Sequence, residues 1–104
     1  MVYLMVRFTV GLHHMAEYER IFSGEFLPVI REHGFEMVAT FKTLVGEAGE
    51  YWELWRFSDL ADFQSKWKGL FEDPRTSKII ERTGPLVQGE VSRLLSAAPF
   101  SPEP

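Results

Sequence analysis

Tyr51-Trp52-Glu53-Leu54-Trp55-Arg56-Phe57, running on into Ser58-Asp59-Leu60-Ala61-Asp62-Phe63, is the stretch that decides the fold. Seven residues rich in aromatic side chains read as a β-strand with both faces at least partly covered, which places it inside a sheet. Ser58 then offers an N-cap oxygen, and Asp59 and Asp62 put negative charge on a first helical turn. Leu60, Phe63, Trp67, Leu70 and Phe71 recur at helical spacing. A central strand therefore feeds an amphipathic helix.

Working outward, Val2 to Val10 alternates, with Leu4, Val6 and Phe8 on one side and Tyr3, Met5, Arg7 and Thr9 on the other, as a strand requires. From about His14 to His33 a helical stripe carries Tyr18, Phe22, Phe26, Val29 and His33. Pro28 removes a backbone donor, so a kink or break is expected near Gly24 to Leu27. Gly34 suits an αL cap. Phe35 to Val45 reads as the next strand, with Phe35, Met37, Ala39 and Phe41 on one face, and Gly46-Glu47-Ala48-Gly49 as the hairpin loop. Downstream, Pro74 opens a short helix through Ile79 and Ile80, Gly84-Pro85 ends it, and Val87 to Leu95 forms a last strand. The order βαββαβ predicts an α+β ferredoxin-like sandwich: a four-stranded antiparallel sheet, spatial order 4-1-3-2, with helices on one face. Residues 1–96 are expected to form one domain and residues 97–104 an extended arm rich in proline, with Phe100 free to pack on a neighbouring subunit.

Composition narrows the function classes. A chain of 104 residues can bury a core without staples, and with no cysteine it has neither a disulfide framework nor a thiolate nucleophile. Fifteen acidic residues against eleven basic ones give a net charge of −4 without a basic cluster, which argues against nucleic acid as a partner. The apolar start has no basic n-region and carries Arg7 in mid-run, so it reads as a strand rather than a signal peptide. A cytoplasmic protein with no membrane partner is expected.

Counting across the hairpin, with Val45 opposite Glu50, puts Phe41 with Leu54 and Thr43 with Trp52 on the helix side. Lys42 with Glu53, Thr40 with Trp55, Val38 with Phe57 and Leu44 with Tyr51 then fall on the open side. Tyr3, Met5, Arg7, Thr9, Gln88, Glu90 and Ser92 are expected beside them. Glu90, Arg7, Glu53 and Lys42 would form a row of alternating sign. Such a face, with Tyr3, Tyr51 and Trp55, is too apolar for water and calls for a partner, most simply a second copy of the chain. A bulge in the hairpin would exchange the faces of the central strand.

The runs Arg31-Glu32-His33-Gly34-Phe35-Glu36-Met37-Val38, Leu54-Trp55-Arg56-Phe57-Ser58-Asp59-Leu60-Ala61-Asp62 and Ser92-Arg93-Leu94-Leu95, with Pro99-Phe100-Ser101-Pro102, resemble bacterial NIPSNAP proteins over nearly the whole chain. The resemblance implies the dimeric α/β-barrel superfamily, in which ferredoxin-like subunits pair sheet to sheet. It brings no settled biochemical activity. It also implies a departure, because the family often has histidine where this chain has Glu53. Elsewhere the superfamily includes cofactor-free monooxygenases, lactone isomerases and haem enzymes, and that is analogy of fold alone.

No residue set forms a recognised catalytic motif. His13-His14 are adjacent, unable to face one site from a helix and without a third ligand, so no metal is expected. His33 suits the C-terminal dipole of a helix. With no histidine on the inner face and no phosphate loop, no cofactor is expected. The candidate ligand pocket is Tyr3, Arg7, Lys42, Tyr51, Glu53, Trp55 and Glu90. Arg7 or Lys42 would meet an anionic group there, and Glu53 would move a proton. Two readings stay open: a homodimer binding a small apolar or aromatic molecule in the barrel interior between its paired sheets, with or without cofactor-independent chemistry, and a non-catalytic dimeric module for protein interaction. A cavity of about 300 Å³ or more inside that barrel would favour the first, and a solidly packed interior the second.

Overall fold

A computed structural model describes residues 1–102; Glu103 and Pro104 of the expected arm lie outside the described residues. Strand β1 (Val2–Val10) leads through a 3₁₀ turn to α1 (Met15–Ile21), and a wide π segment, Phe22–Phe26, joins it to α2 (Leu27–Glu32). Strands β2 (Glu36–Lys42) and β3 (Glu50–Phe57) form the hairpin. Helices α3 (Leu60–Glu72) and α4 (Pro74–Thr83) precede β4 (Val87–Leu95). The sheet has the order β2-β3-β1-β4 with antiparallel neighbours, which is the expected 4-1-3-2 arrangement, and the helices cover one face. No helix among the described residues is long and apolar enough to cross a membrane.

Local chemistry explains the joints. Pro28 has no N–H to donate, and just before it the Leu27 N–H reaches back five residues to the Phe22 carbonyl, so the first helix widens instead of breaking. Gly34, at φ +84°, provides the left-handed turn after α2. The N-cap of α3 is Asp59, one residue beyond the expected Ser58. Asp59 Oδ1 accepts from the Asp62 N–H at 2.7 Å, while Asp62 Oδ2 accepts from the Ser58 N–H at 2.9 Å, a reciprocal cap. Asp73 caps α4 by accepting from the Arg75 N–H.

The faces differ from the hairpin count in two places. Ladder pairing stops at Lys42 opposite Tyr51, so the loop spans residues 43–49 rather than four residues, and Leu44 stands fully exposed in it. A bulge at Val38 then resets alternation inside β2, not in the hairpin. Met37 still packs against the core, but Ala39 and Phe41 turn to the open face opposite Leu54 and Trp52. Along β3, Tyr51, Glu53, Trp55 and Phe57 are buried on the helix side opposite Phe8, Val6, Leu4 and Val2 of β1. The expected sides of β3 are therefore exchanged. In β4 a second bulge, where Gly89 sits at φ +60°, keeps Gln88 with Thr9 and Val91 with Arg7 on the open face while Glu90 and Ser92 point to the helix side.

Gly49 holds the hairpin against β1. Its carbonyl accepts from the Val10 N–H at 2.9 Å, its φ is +79°, and a Cβ there would stand 2.1 Å from the Val10 carbonyl oxygen. Gly49→Ala is expected to destabilise the fold by about 2–4 kcal/mol, since backbone cannot yield as a side chain can. Gly24→Ala, where a Cβ meets nothing within 4 Å, should be neutral or slightly stabilising. Urea unfolding of the two variants makes the comparison, and a Gly49→Ala midpoint equal to the parent's would contradict it.

Candidate functional site

The helix layer does not reach β4, and the space left over between α3, α4 and the sheet is a pocket of about 510 Å³. Its floor is sheet: Leu4, Val6 and Phe8 from β1, Trp55 from β3, and Val87, Glu90 and Ser92 from β4. Its walls are Tyr18, Phe22 and Phe26 from the first helix and Trp67, Phe71 and Ile80 from α3 and α4. Trp67, Phe71 and Ile80 keep exposed surface because they border this opening rather than packed neighbours. The π segment places Phe22 and Phe26 in the wall. A second pocket of about 340 Å³, lined by Met37, Phe41, Lys42 and Tyr51 among others, adjoins the first, and the two share Tyr18, Phe22 and Glu53.

Glu53 is the polar centre of this region. It is only 8% exposed, and its Oε1 accepts from the Trp55 indole N–H at 3.1 Å. Its second oxygen has no hydrogen bond among the described residues. Burial pushes its carboxyl up to about 7; the Trp55 hydrogen bond opposes the rise, and the nearby Glu90 adds to it. Tyr18, 7% exposed, has a hydroxyl with no hydrogen-bond partner among the described residues, and burial followed by the charges of Glu53 and Glu90 raises its pKa strongly.

The seven residues singled out from sequence do not form one group. Glu53, Trp55 and Glu90 line the larger pocket, and Lys42, Tyr51 and Glu53 line the smaller. Lys42 Nζ and the Tyr51 hydroxyl both donate to Glu19 Oε2, at 2.9 and 2.5 Å, so that ammonium is already neutralised. Arg7 lies on the opposite, open face, where its Nε donates to Glu50 Oε2 at 2.8 Å and Nη2 to Glu47. Tyr3 belongs to that face too, opposite Arg56. The expected row Glu90, Arg7, Glu53, Lys42 is thus split by the sheet, because the bulges at Val38 and Gly89 and the register of β3 assign its members to different sides. His33 is held by Asp73, Nε2 to Oδ2 at 2.9 Å, away from both pockets. Tyr18, Phe22, Phe26 and Glu19 were read only as helix; their signal is an aromatic at every fourth position with a carboxylate beside it.

A NIPSNAP family model matches residues 3–102. The chain belongs to the NIPSNAP family. Among solved structures, this NIPSNAP chain is similar to protein Atu4242 from Agrobacterium tumefaciens, with a TM-score of 0.90 at 24% identity over 98% of each chain. It is also similar to an uncharacterised NIPSNAP domain protein from Burkholderia xenovorans, with a TM-score of 0.90 at 19% identity over 99% of this chain and 100% of that one. More distant is a protein from Nitrosomonas europaea for which antibiotic biosynthesis monooxygenase is a candidate activity, with a TM-score of 0.69 at 9% identity over 93% of this chain and 98% of that one. At these identities the likeness establishes the fold alone. No curated protein matches the sequence.

The raised Glu53 pKa has a definite sign for stability. Below the ordinary value of 4.5 both folded and unfolded chains hold the proton and no penalty exists. Between 4.5 and about 7 the unfolded chain releases it and the folded one does not, so stability falls as pH rises. Above 7 the penalty is complete, at most about 3 kcal/mol. Glu53→Gln keeps an oxygen for Trp55 and removes the charge. It should therefore exceed the parent in stability by about 1–3 kcal/mol at pH 8 and match it at pH 4.5. Denaturant unfolding at the two pH values decides this, and a variant that is less stable than the parent at pH 8 would refute it.

Proposed function

We propose that this NIPSNAP chain binds a small apolar, aromatic-bearing molecule between its sheet and its helices, with Glu53 as the polar group that meets it. One observation carries the reading: a carboxyl more than nine-tenths buried, with a free oxygen, stands inside an aromatic-lined pocket of about 510 Å³. A carboxyl titrating near 7 is suited to general acid–base work at neutral pH, so cofactor-independent proton transfer is the chemistry this site would support. The location differs from the one expected from sequence, which was the space between two paired sheets. It is the interior of each subunit.

The open sheet face supports a separate part of the proposal, a homodimer. Phe41, Trp52 and Val91 are exposed there around the half-buried Met5. A second copy laid on this face would cover them, and the dimer could equally serve as a non-catalytic module for protein interaction.

Two measurements test these statements. Gly84 borders the larger pocket and a Cβ there meets nothing within 4 Å outside its chain neighbours, so Gly84→Phe adds bulk to the wall, at some cost in stability because Gly84 is in the αR conformation just before Pro85. A thermal-shift screen with small aromatic alcohols, acids, amines, quinones and lactones is expected to raise the parent's Tm by several degrees for at least one class, in proportion to log concentration. Gly84→Phe should weaken that binding at least tenfold; an unchanged response would place the ligand elsewhere. Sedimentation should give a dimer for the parent and a monomer for Trp52→Glu, and a monomeric parent would remove the homodimer proposal.

A further inference from the structure

The larger pocket has an electrostatic character that narrows its ligand. Among the described residues its charged lining is Glu53 and Glu90, and no lysine, arginine or histidine lines it. The cations that the sequence offered as anion anchors are committed elsewhere: Lys42 to Glu19, and Arg7 to Glu47 and Glu50 across the sheet. The buried Glu53 and the exposed Glu90 thus border one concave, apolar space without a counter-ion among the described residues, and a bound cation would relieve the cost of Glu53's burial.

Three acceptors without a full set of partners belong to its lining residues. One is the free oxygen of Glu53. The second is the Glu90 carboxylate at the mouth, which has neither a hydrogen bond nor an ion pair among the described residues. The third is the unpartnered hydroxyl of the buried Tyr18. An ammonium group has three N–H donors and no acceptor, which matches this set. The rings of Phe8, Tyr18, Phe22 and Trp55 around it provide faces for a cation and walls for an aromatic body. An anionic ligand would instead meet two like charges with nothing to balance them.

We propose that the pocket is a site for a primary arylalkylamine, bound as the ammonium with its charge at Glu53 and Glu90 and its ring among the aromatic side chains. This rests on the pocket being a ligand site at all, and the test separates the two statements. The probes share one skeleton and differ in charge: 3-phenylpropylamine, 3-phenylpropan-1-ol and 3-phenylpropionate, titrated calorimetrically into the full chain at pH 7.5.

The amine is expected to bind at least tenfold more tightly than the alcohol, and the propionate more weakly than either. Glu53→Gln should abolish the preference for amine over alcohol, and Glu90→Gln should reduce it. Cooperative urea unfolding of both variants at pH 7.5, with midpoints no lower than the parent's, shows that they are folded. Alcohol binding as tight as amine in the parent, or an amine preference that survives Glu53→Gln, would overturn the amine assignment and leave the pocket reading standing. If none of the three probes binds, both statements fall.

Discussion

Strand periodicity is the constraint on which the rest depends. Side chains along β3 must alternate, so committing Tyr51, Trp55 and Phe57 to the helix layer commits Glu53 with them. Each of those rings removes a large apolar area from water, worth roughly 2–3 kcal/mol or more apiece, against a penalty of at most about 3 kcal/mol for the one carboxyl. The rings win. Phe57 stacks edge-on against Phe35 and Phe63, Trp55 against Phe35, and Tyr51 lies parallel to Phe8 at 5.4 Å. The buried acid is thus a consequence of a stable strand. A slip of one residue, which would free Glu53, would expose three aromatics.

The elements were legible because their signals are local. Val2–Val10 and Val87–Leu95 have the boundaries read from alternation, Gly34 turns where a left-handed residue was needed, and the chain order fixed the sheet as 4-1-3-2. Side assignment was less legible, because it depends on counting through irregularities that alternation does not announce. Val38 is an ordinary β-former with nothing to mark it as a bulge, and Gly89 could have been any weak point in a strand. Each inserts one residue and reverses everything beyond it. The sequence thus pointed to Glu53, Trp55 and Glu90, but grouped them with Arg7 and Tyr3 across a sheet that separates them. Glu53 was also attributed a counter-ion that it does not have.

The pocket's walls show the opposite failure. Tyr18, Phe22 and Phe26 obey a helical stripe so well that burial in a core explains them completely from sequence. Only the incomplete cover over β4 turns that stripe into a cavity wall. The cover is incomplete over β4, whose side chains Glu90, Ser92 and Leu94 stay in contact with solvent. No residue-by-residue reading contains that geometric shortfall.

The two faces of the sheet treat charge differently. On the open face Arg7 meets Glu47 and Glu50, and Arg56 meets Glu36, so these cations already carry their counter-ions. Hydrogen bonds from the Thr43 hydroxyl, then from Arg7 and Trp52, hold the Glu50 carboxyl down to about 2. Pairs completed in this way can be covered by another surface without leaving an isolated charge, which is the condition a buried interface imposes. The helix face lacks such compensation at Glu53, whose burial raises its pKa instead. Arg93, on the open face opposite Met5, has no ion pair among the described residues, so a covering surface would have to bring it a counter-ion. Inside, the carboxyl left without a counter-ion is what the proposed ligand would answer by bringing the missing partner.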